Sequence, residues 1–194
     1  MKEILETEET VILVDAKYLD EVGRQARDYF SHVVKRSLPK ADLPAWAESV
    51  ALDAGLRPGE HRVQVIFIYP REMKRFTCFE PDDLSEDLHG VAFRSNLGEF
   101  SFSSYSTEAL ATHESMFADF SQALSVSKGT ARLVLVGDLS AYGDEAVRAL
   151  REAKEREVCL FSFDPQDAGR YPFVHCNLGF PLLHALGVRP DELE

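Results

Sequence analysis

Short apolar runs alternate with longer stretches of helical periodicity along most of the chain. The apolar runs cover residues 10–15, 63–69, 131–137 and 158–163, and Val, Ile, Leu and Phe dominate them. Near-continuous apolar strands of this kind are typical of parallel sheets that are covered on both faces. Apolar residues at helical spacing predict helices near 19–37, 44–55, 142–156 and 178–187.

The segment between residues 91 and 126 follows a different pattern. Two strand-like stretches, 91–94 and 99–105, flank a Ser-Asn-Leu-Gly turn, which favours a β-hairpin. Ser106 and Thr107 suit the N-cap of a helix that runs to about residue 126. The order of elements predicts one α/β domain over residues 1–194, a three-layer sandwich whose mostly parallel central sheet is flanked by helices, with the hairpin as an insertion.

Charge and cysteine content narrow the expected partners and compartment. The chain has 33 acidic and 21 basic residues, and its net charge of −12 repels nucleic acid on average. Cys78, Cys159 and Cys176 have no CxxC spacing, which favours a reducing, cytoplasmic setting. The acidic N-terminus lacks the apolar core of a secretion signal, and no apolar stretch is long enough to span a membrane.

Two aspartates mark the ends of the first and third apolar runs, since Asp15 is the last residue of the first and Asp138 directly follows the third. Asp15 and Asp138 are predicted to lie at the carboxyl ends of parallel strands, where α/β sheets bind ligands. Such carboxylates suit catalysis with Mg²⁺ or Mn²⁺, because these hard cations take oxygen ligands. Glu114 and Asp144 are further candidate metal ligands. The alternative roles are helix N-capping for the three aspartates and a solvated helix face for Glu114.

A basic group follows the run at 63–69 and consists of Arg71, Lys74 and Arg75. If that strand is parallel to its neighbours, these residues lie on the same edge as the aspartates and could hold the phosphate backbone of RNA. The alternative is a solvated loop that balances the acids at 80–87. The histidines lack metal-ligand spacing, so a surface role is expected even for His113, the one histidine near this edge.

The motifs around the two aspartates resemble those of the NYN branch of the PIN-like nuclease superfamily. Family members open with a strand ending in a pattern like D-G-x-N-L, where this chain has D-A-K-Y-L from Asp15. A later strand runs into G-D-x-D-F, where this chain has G-D-L-S-A with Asp138. The resemblance implies a PIN-like fold and a metal-dependent endoribonuclease with Asp15 and Asp138 as catalytic residues. Tyr18 and Ser140 depart from the family pattern, at its Asn and its second Asp.

Two functions follow from these observations. One is a Mg²⁺- or Mn²⁺-dependent ribonuclease, with Glu114 or Asp144 completing the metal shell beside Asp15 and Asp138. The other is a catalytically degenerate PIN-like domain that binds RNA or a protein partner, and the acidic charge favours the protein. A third reading is an unrelated small-molecule enzyme on a flavodoxin-like sheet. A homo-oligomer is left open, because the aromatic hairpin could form a dimer edge.

Overall fold

The central strand of the main sheet is β1 (Thr10–Asp15), and all six of its residues are buried. The computed structural model describes residues 6–153 and 155–194 of the chain. Ile12 and Val14 of β1 belong to one hydrophobic cluster, and Val11 and Leu13 belong to a second cluster on the opposite face. Because both faces of β1 are covered, the four residues from Val11 to Val14 are all apolar, and the polar Thr10 and Asp15 stand at the ends of the strand.

The strands of the described residues are β1 (Thr10–Asp15), β2 (Ala41–Asp42), β3 (His61–Tyr69), β4 (Phe79–Glu80), β5 (Val91–Ser95), β6 (Gly98–Ser106), β7 (Arg132–Val136), β8 (Glu157–Ser162) and β9 (Val174–Asn177). Seven of them form the main sheet in the order β5-β6-β3-β1-β7-β8-β9, and β2 pairs with β4 in a separate two-stranded sheet. All neighbours in the main sheet are parallel except β5 and β6, which form the predicted antiparallel hairpin.

Helices cover both faces of the sheet and complete the predicted three-layer sandwich. They are α1 (Ala16–Val33), α2 (Leu43–Asp53), α3 (His113–Ser125), α4 (Leu139–Ala149) and α5 (Gly179–Ala185). Leu19, Trp46 and Leu182 bring α1, α2 and α5 into the first hydrophobic cluster. Phe117 and Ala146 bring α3 and α4 into the second cluster. The α/β class and the mostly parallel sheet are therefore as predicted.

The six parallel strands have the order of a doubly wound sheet. Counted along the chain without β5, their spatial order is 3-2-1-4-5-6, and the direction of winding reverses between β1 and β7. The chain leaves β1 into α1 on one face and leaves β7 into α4 on the other face. The helices that follow these two strands therefore diverge and leave a crevice between them.

The start of α3 differs from the predicted one. The helix begins at His113, and its N-cap is Thr112, whose side chain accepts the N–H of Ser115 at 3.1 Å. Thr107 instead extends the pairing of β3 and β6, since its N–H donates to the Tyr69 carbonyl at 3.0 Å and its hydroxyl oxygen accepts the N–H of Arg71 at 3.2 Å. The N-cap prediction at 106–107 is wrong because this backbone remains part of the sheet.

The C-terminal third contains two further differences. α4 begins at Leu139, three residues before the predicted start, and a 3-10 turn at Leu150–Glu152 follows it. The end of the predicted helix at 142–156 includes Lys154, which lies outside the described residues. β9 was not predicted, because its four residues are half-buried or exposed at the edge of the sheet and form no apolar run.

The structure also bears on the predicted lack of a membrane span and on the state of the three cysteines. Across residues 6–153 and 155–194, no helix is long and apolar enough to cross a bilayer. All three cysteines are free thiols. Cys159 is buried in β8, and its sulfur lies 3.5 Å from that of Cys176 on the neighbouring strand.

Candidate functional site

The reversal of the sheet between β1 and β7 brings two aspartates to one crevice. Asp15 is the last residue of β1 and the N-cap of α1. Asp138 follows Gly137 at the end of β7 and is the N-cap of α4. In doubly wound sheets, ligands bind in the crevice at this reversal point. Both aspartates therefore reach the ligand-binding edge, as the parallel pattern predicts, and both also have the capping role that was the alternative.

Asp15 is a buried carboxylate whose two oxygens already have partners. Only 1% of the surface of Asp15 is exposed to solvent. One oxygen accepts the N–H of Tyr18 at 3.1 Å, and the other accepts the hydroxyl of Tyr142 at 2.6 Å. Burial raises the pKa of Asp15 above its ordinary value of 3.8, although both hydrogen bonds and the nearby His113 oppose the shift.

Tyr142 connects the ends of the two central strands. Its hydroxyl group donates to Asp15 and accepts the backbone N–H of Asp138 at 2.9 Å. Burial and the Asp15 carboxylate both raise the pKa of Tyr142, so the phenol keeps its proton. Gly137 makes room for this contact, because a Cβ atom there would lie 2.5 Å from the Tyr142 hydroxyl oxygen. The glycine before Asp138 thus has a packing role at this site.

His113 lies beside Asp15, and its expected surface role is wrong. The side chain is only 11% exposed, and its Nε2 atom lies 3.5 Å from Oδ2 of Asp15. Its Nδ1 atom lies 3.2 Å from Oε2 of Glu114. The imidazole ring therefore lies between two carboxylates and compensates part of their charge when it is protonated. His113 reaches this position because it is the first residue of α3, which packs against β1.

Glu114 lies at the exposed rim of the same cluster, and its side chain is 42% exposed. Partial burial raises the pKa of Glu114, but hydrogen bonding to its own backbone N–H and the charge of His113 outweigh burial and lower the pKa. Its position in the first turn of α3 also favours a negative charge. Glu114 is the candidate ligand that combines proximity to Asp15 with access to solvent.

The side chain of Asp138 caps the N-terminus of α4. One of its oxygens accepts the N–H groups of Ser140 and Ala141 at 3.1 and 3.0 Å. Tyr18, which stands where the resemblance would place an Asn, lies near Asp138 and accepts the N–H of Phe163 at 2.9 Å through its hydroxyl oxygen. Burial, together with nearby acids, raises the pKa of Tyr18 to about 12. Both residues thus hold the backbone of this edge.

Asp144 lies inside α4, so it is not an N-cap residue. Its partners also lie away from the crevice. Its carboxylate is exposed, accepts the hydroxyl of Tyr171 at 2.7 Å and lies 3.6 Å from Nη2 of Arg170. These partners come from the segment that leads into β9. Asp144 therefore faces a different part of the surface from Asp15 and His113.

The predicted basic group divides into two parts. Arg75 lies 3.2 Å from Asp82 and 3.2 Å from Asp83, which is the arrangement of a loop that balances its own acids. Arg71 and Lys74 are exposed beyond the carboxyl end of β3, next to β1 in the sheet. All three predicted phosphate-binding side chains are thus exposed, but the charge of Arg75 is balanced by Asp82 and Asp83.

The acids do not converge into a ligand set for Mg²⁺ or Mn²⁺. Within the described parts of the chain, no three His, Cys, Asp or Glu side chains are grouped so that they could hold a metal ion. Asp15 uses both oxygens inside the fold, and Asp144 pairs elsewhere. As arranged, these residues do not fit a two-metal centre, and metal binding by Asp15, Asp138, Glu114 and Asp144 stays a prediction for solution experiments.

The sequence reasoning did not identify Tyr142 or His113 as members of the cluster. The available signal for Tyr142 was its position four residues after Asp138, one helical turn into α4. For His113 the signal was its position beside Glu114 near the predicted edge, but the lack of metal-ligand spacing among the histidines favoured a surface role. Asp20 was also missed, and its carboxylate anchors the loop after β3 by accepting three donors from Thr77 and Cys78.

Comparison with known proteins gives a family without an assigned activity. A family of unknown function, DUF6621, matches residues 5–193, and the chain belongs to this family. No curated protein and no solved structure matches the chain. A functional proposal therefore depends on the residues of the crevice and on the charge of the chain.

Proposed function

We propose that this member of the DUF6621 family is a PIN-like domain that binds a protein partner and does not cleave RNA by metal catalysis. The observation that carries the proposal is that both carboxylate oxygens of Asp15 accept hydrogen bonds within the fold. Its carboxylate is buried, caps α1 through Tyr18 and accepts the hydroxyl of Tyr142. A metal ligand needs oxygen lone pairs that face a shared, partly hydrated cavity.

The departures from the nuclease motif support the same conclusion. Ser140 stands at the position of the second aspartate in the G-D-x-D pattern, and its backbone N–H serves only the cap of α4. Asp144, the acid one turn further on, pairs with Tyr171 and Arg170. The chain thus keeps the two strand-end aspartates for helix capping. Of the further acids that a metal shell needs, one is replaced by Ser140 and Asp144 faces away, so that Glu114 is the predicted ligand that remains near Asp15.

The charge of the chain favours a protein as the partner. A net charge of −12 repels a phosphate backbone, and Arg75 of the basic group is neutralised by Asp82 and Asp83. Leu110 is fully exposed in the loop that precedes α3, three residues from His113. Leu110 is therefore a position from which contact with a partner at this edge can be tested.

A cleavage assay tests the catalytic half of the proposal. Labelled single-stranded RNA is incubated with the wild-type protein and with Asp138→Asn, each in Mg²⁺, in Mn²⁺ and in EDTA. We expect uncut RNA in all six reactions. Cleavage that requires the divalent ion and disappears in Asp138→Asn would overturn the proposal in favour of a nuclease.

Site-directed crosslinking tests the binding half. A photoreactive amino acid replaces Leu110 or, as a matched control, Arg62, which is exposed at the opposite end of the sheet. We expect a discrete protein adduct in the native host from position 110 and none from position 62. An adduct that is destroyed by ribonuclease would identify RNA as the partner and contradict the charge argument.

A further inference from the structure

A cleft on the surface of α4 concentrates basic side chains in an otherwise acidic protein. It lies between the C-terminal half of α4 with its 3-10 turn and the segment that leads into β9, and its volume is about 720 Å³. This volume is within the range of roughly 300–1,000 Å³ that is common for small-molecule sites. The cleft is separate from the crevice, because neither Asp15 nor His113 lines it.

Three arginines line this cleft, Arg148, Arg151 and Arg156. Arg148 and Arg151 are three residues apart and follow one side of the helix into the 3-10 turn, where such positions lie above one another. Among the lining residues that the structure describes, Asp144 is the only acid, and Tyr171 and Arg170 already contact its carboxylate. The cleft therefore presents a net positive charge.

Two of the walls are held in place by contacts within the fold. Arg156 is half-buried, and its Nη1 atom donates to the carbonyl oxygen of Leu124 at 2.8 Å, near the end of α3. On the other side, the Tyr171 hydroxyl is bonded to Asp144, and the Arg170 guanidinium carbon lies 5.3 Å from the centre of the Tyr171 ring. A fixed guanidinium and a fixed aromatic ring lower the entropic cost of binding a ligand.

The floor of the cleft is apolar. Leu150 and Ala153 are buried beneath it, and Pro172 and Phe173 form the side that approaches β9. Guanidinium groups match the paired oxygens of a phosphate, while the apolar floor and the aromatic side wall suit the flat body of an organic molecule. The volume exceeds what inorganic phosphate would fill, so the expected ligand carries a phosphate on a larger aromatic body.

We propose that this cleft binds an organic phosphate with an aromatic ring system, the chemical class of nucleoside mono- and diphosphates. The arginines hold the phosphate, and the ring rests on Phe173 and Pro172. The proposal is independent of the protein partner inferred for the crevice, since the two sites share no described residue.

Calorimetric titration tests the proposal with four probes: adenosine diphosphate, guanosine diphosphate, adenosine and inorganic phosphate. The variant Arg148→Gln/Arg151→Gln removes two charges from the cleft. Arg62→Gln/Arg94→Gln removes two charges from exposed positions on β3 and β5 and is the matched control. Unfolding midpoints of both variants establish that they remain folded.

We expect at least one of the diphosphates to bind wild type with a dissociation constant below about 1 mM, and the cleft variant to weaken it at least tenfold. The control variant should change the affinity by less than about twofold, because exposed charges far from the cleft are screened. Lack of binding by both diphosphates, or equal weakening in both variants, would overturn the proposal. Inorganic phosphate that binds as tightly as the diphosphates would overturn it too, since the ring would then add nothing.

Discussion

The hydroxyl oxygen of Tyr142 lies 2.6 Å from a carboxylate oxygen of Asp15, across the point where the winding of the sheet reverses. The same hydroxyl accepts the N–H of Asp138, so one phenol joins the ends of β1 and β7. Asp15 is thereby a structural acid as well as a candidate functional one.

Tyr142→Phe should destabilise the protein by roughly 2 kcal/mol, because it leaves a buried carboxylate and a buried N–H without their shared partner. Tyr171→Phe is the matched control. Its hydroxyl bonds the exposed carboxylate of Asp144, so its loss should cost less than about 1 kcal/mol. Urea unfolding of both variants measures the difference. Equal losses would mean that the Asp15–Tyr142 contact adds nothing to stability.

The pH dependence of stability should carry the signature of Asp15. The pKa of Asp15 in the folded protein is raised above 3.8, so the folded protein keeps a proton that the unfolded chain has already lost. The wild type should therefore lose stability relative to Asp15→Asn as the pH rises from 3.8 through the raised folded pKa. Unfolding free energies of both proteins across this range supply the test. The opposite slope would show that hydrogen bonds outweigh burial at this carboxyl.

Asp20→Asn should loosen the loop that follows β3. The carboxylate accepts the N–H and hydroxyl groups of Thr77 and the N–H of Cys78, so an amide in its place should cost roughly 2 kcal/mol. Asp28→Asn, at an exposed position of the same helix, should change stability by less than about 0.5 kcal/mol. Hydrogen exchange at the Thr77 and Cys78 amides should accelerate in Asp20→Asn only. Unchanged exchange there would contradict the anchoring role.

Gly98→Ala should be among the most damaging substitutions in the hairpin. Gly98 has φ of +122°, and a Cβ atom there would collide with the backbone of His61 on β3. The expected loss is at least about 3 kcal/mol, since backbone atoms have to move. Gly90 has a φ of +76°, but a Cβ atom there would meet open space. Gly90→Ala should therefore lower the free energy of unfolding by only about 1 kcal/mol. Thermal unfolding compares the two, and similar midpoints would argue against close packing of β6 on β3.

The sequence pattern predicts most of the fold because burial on both faces leaves a strong signal. The apolar centres of β1 and β7 and the amphipathic α1 identify a parallel sheet with helices on its faces. The short edge strand β9 leaves no such signal, since its residues are only partly buried. The start of α3 is predicted too early at Thr107, because a threonine that suits a helix cap also suits the end of a strand.

The candidate site was predicted only in part, for a related reason. Asp15 and Asp138 follow apolar runs directly, so chain order alone places them at one edge. The contacts of His113 and Tyr142 with Asp15 join residues that are about a hundred positions or more apart in the chain, and no periodicity encodes such contacts. The partners of Asp144 likewise come from a segment without regular structure.

The most direct test of the central claim is thermal unfolding with and without millimolar Mn²⁺, for wild type and for Asp15→Asn/Asp138→Asn. If the carboxylates bound Mn²⁺ with a dissociation constant one hundredfold below its concentration, the ion would stabilise the wild type by about 2.7 kcal/mol. We predict equal wild-type midpoints with and without Mn²⁺, because Asp15 is committed to Tyr18 and Tyr142. A Mn²⁺-dependent rise in the wild-type midpoint that the double variant lacks would contradict this account.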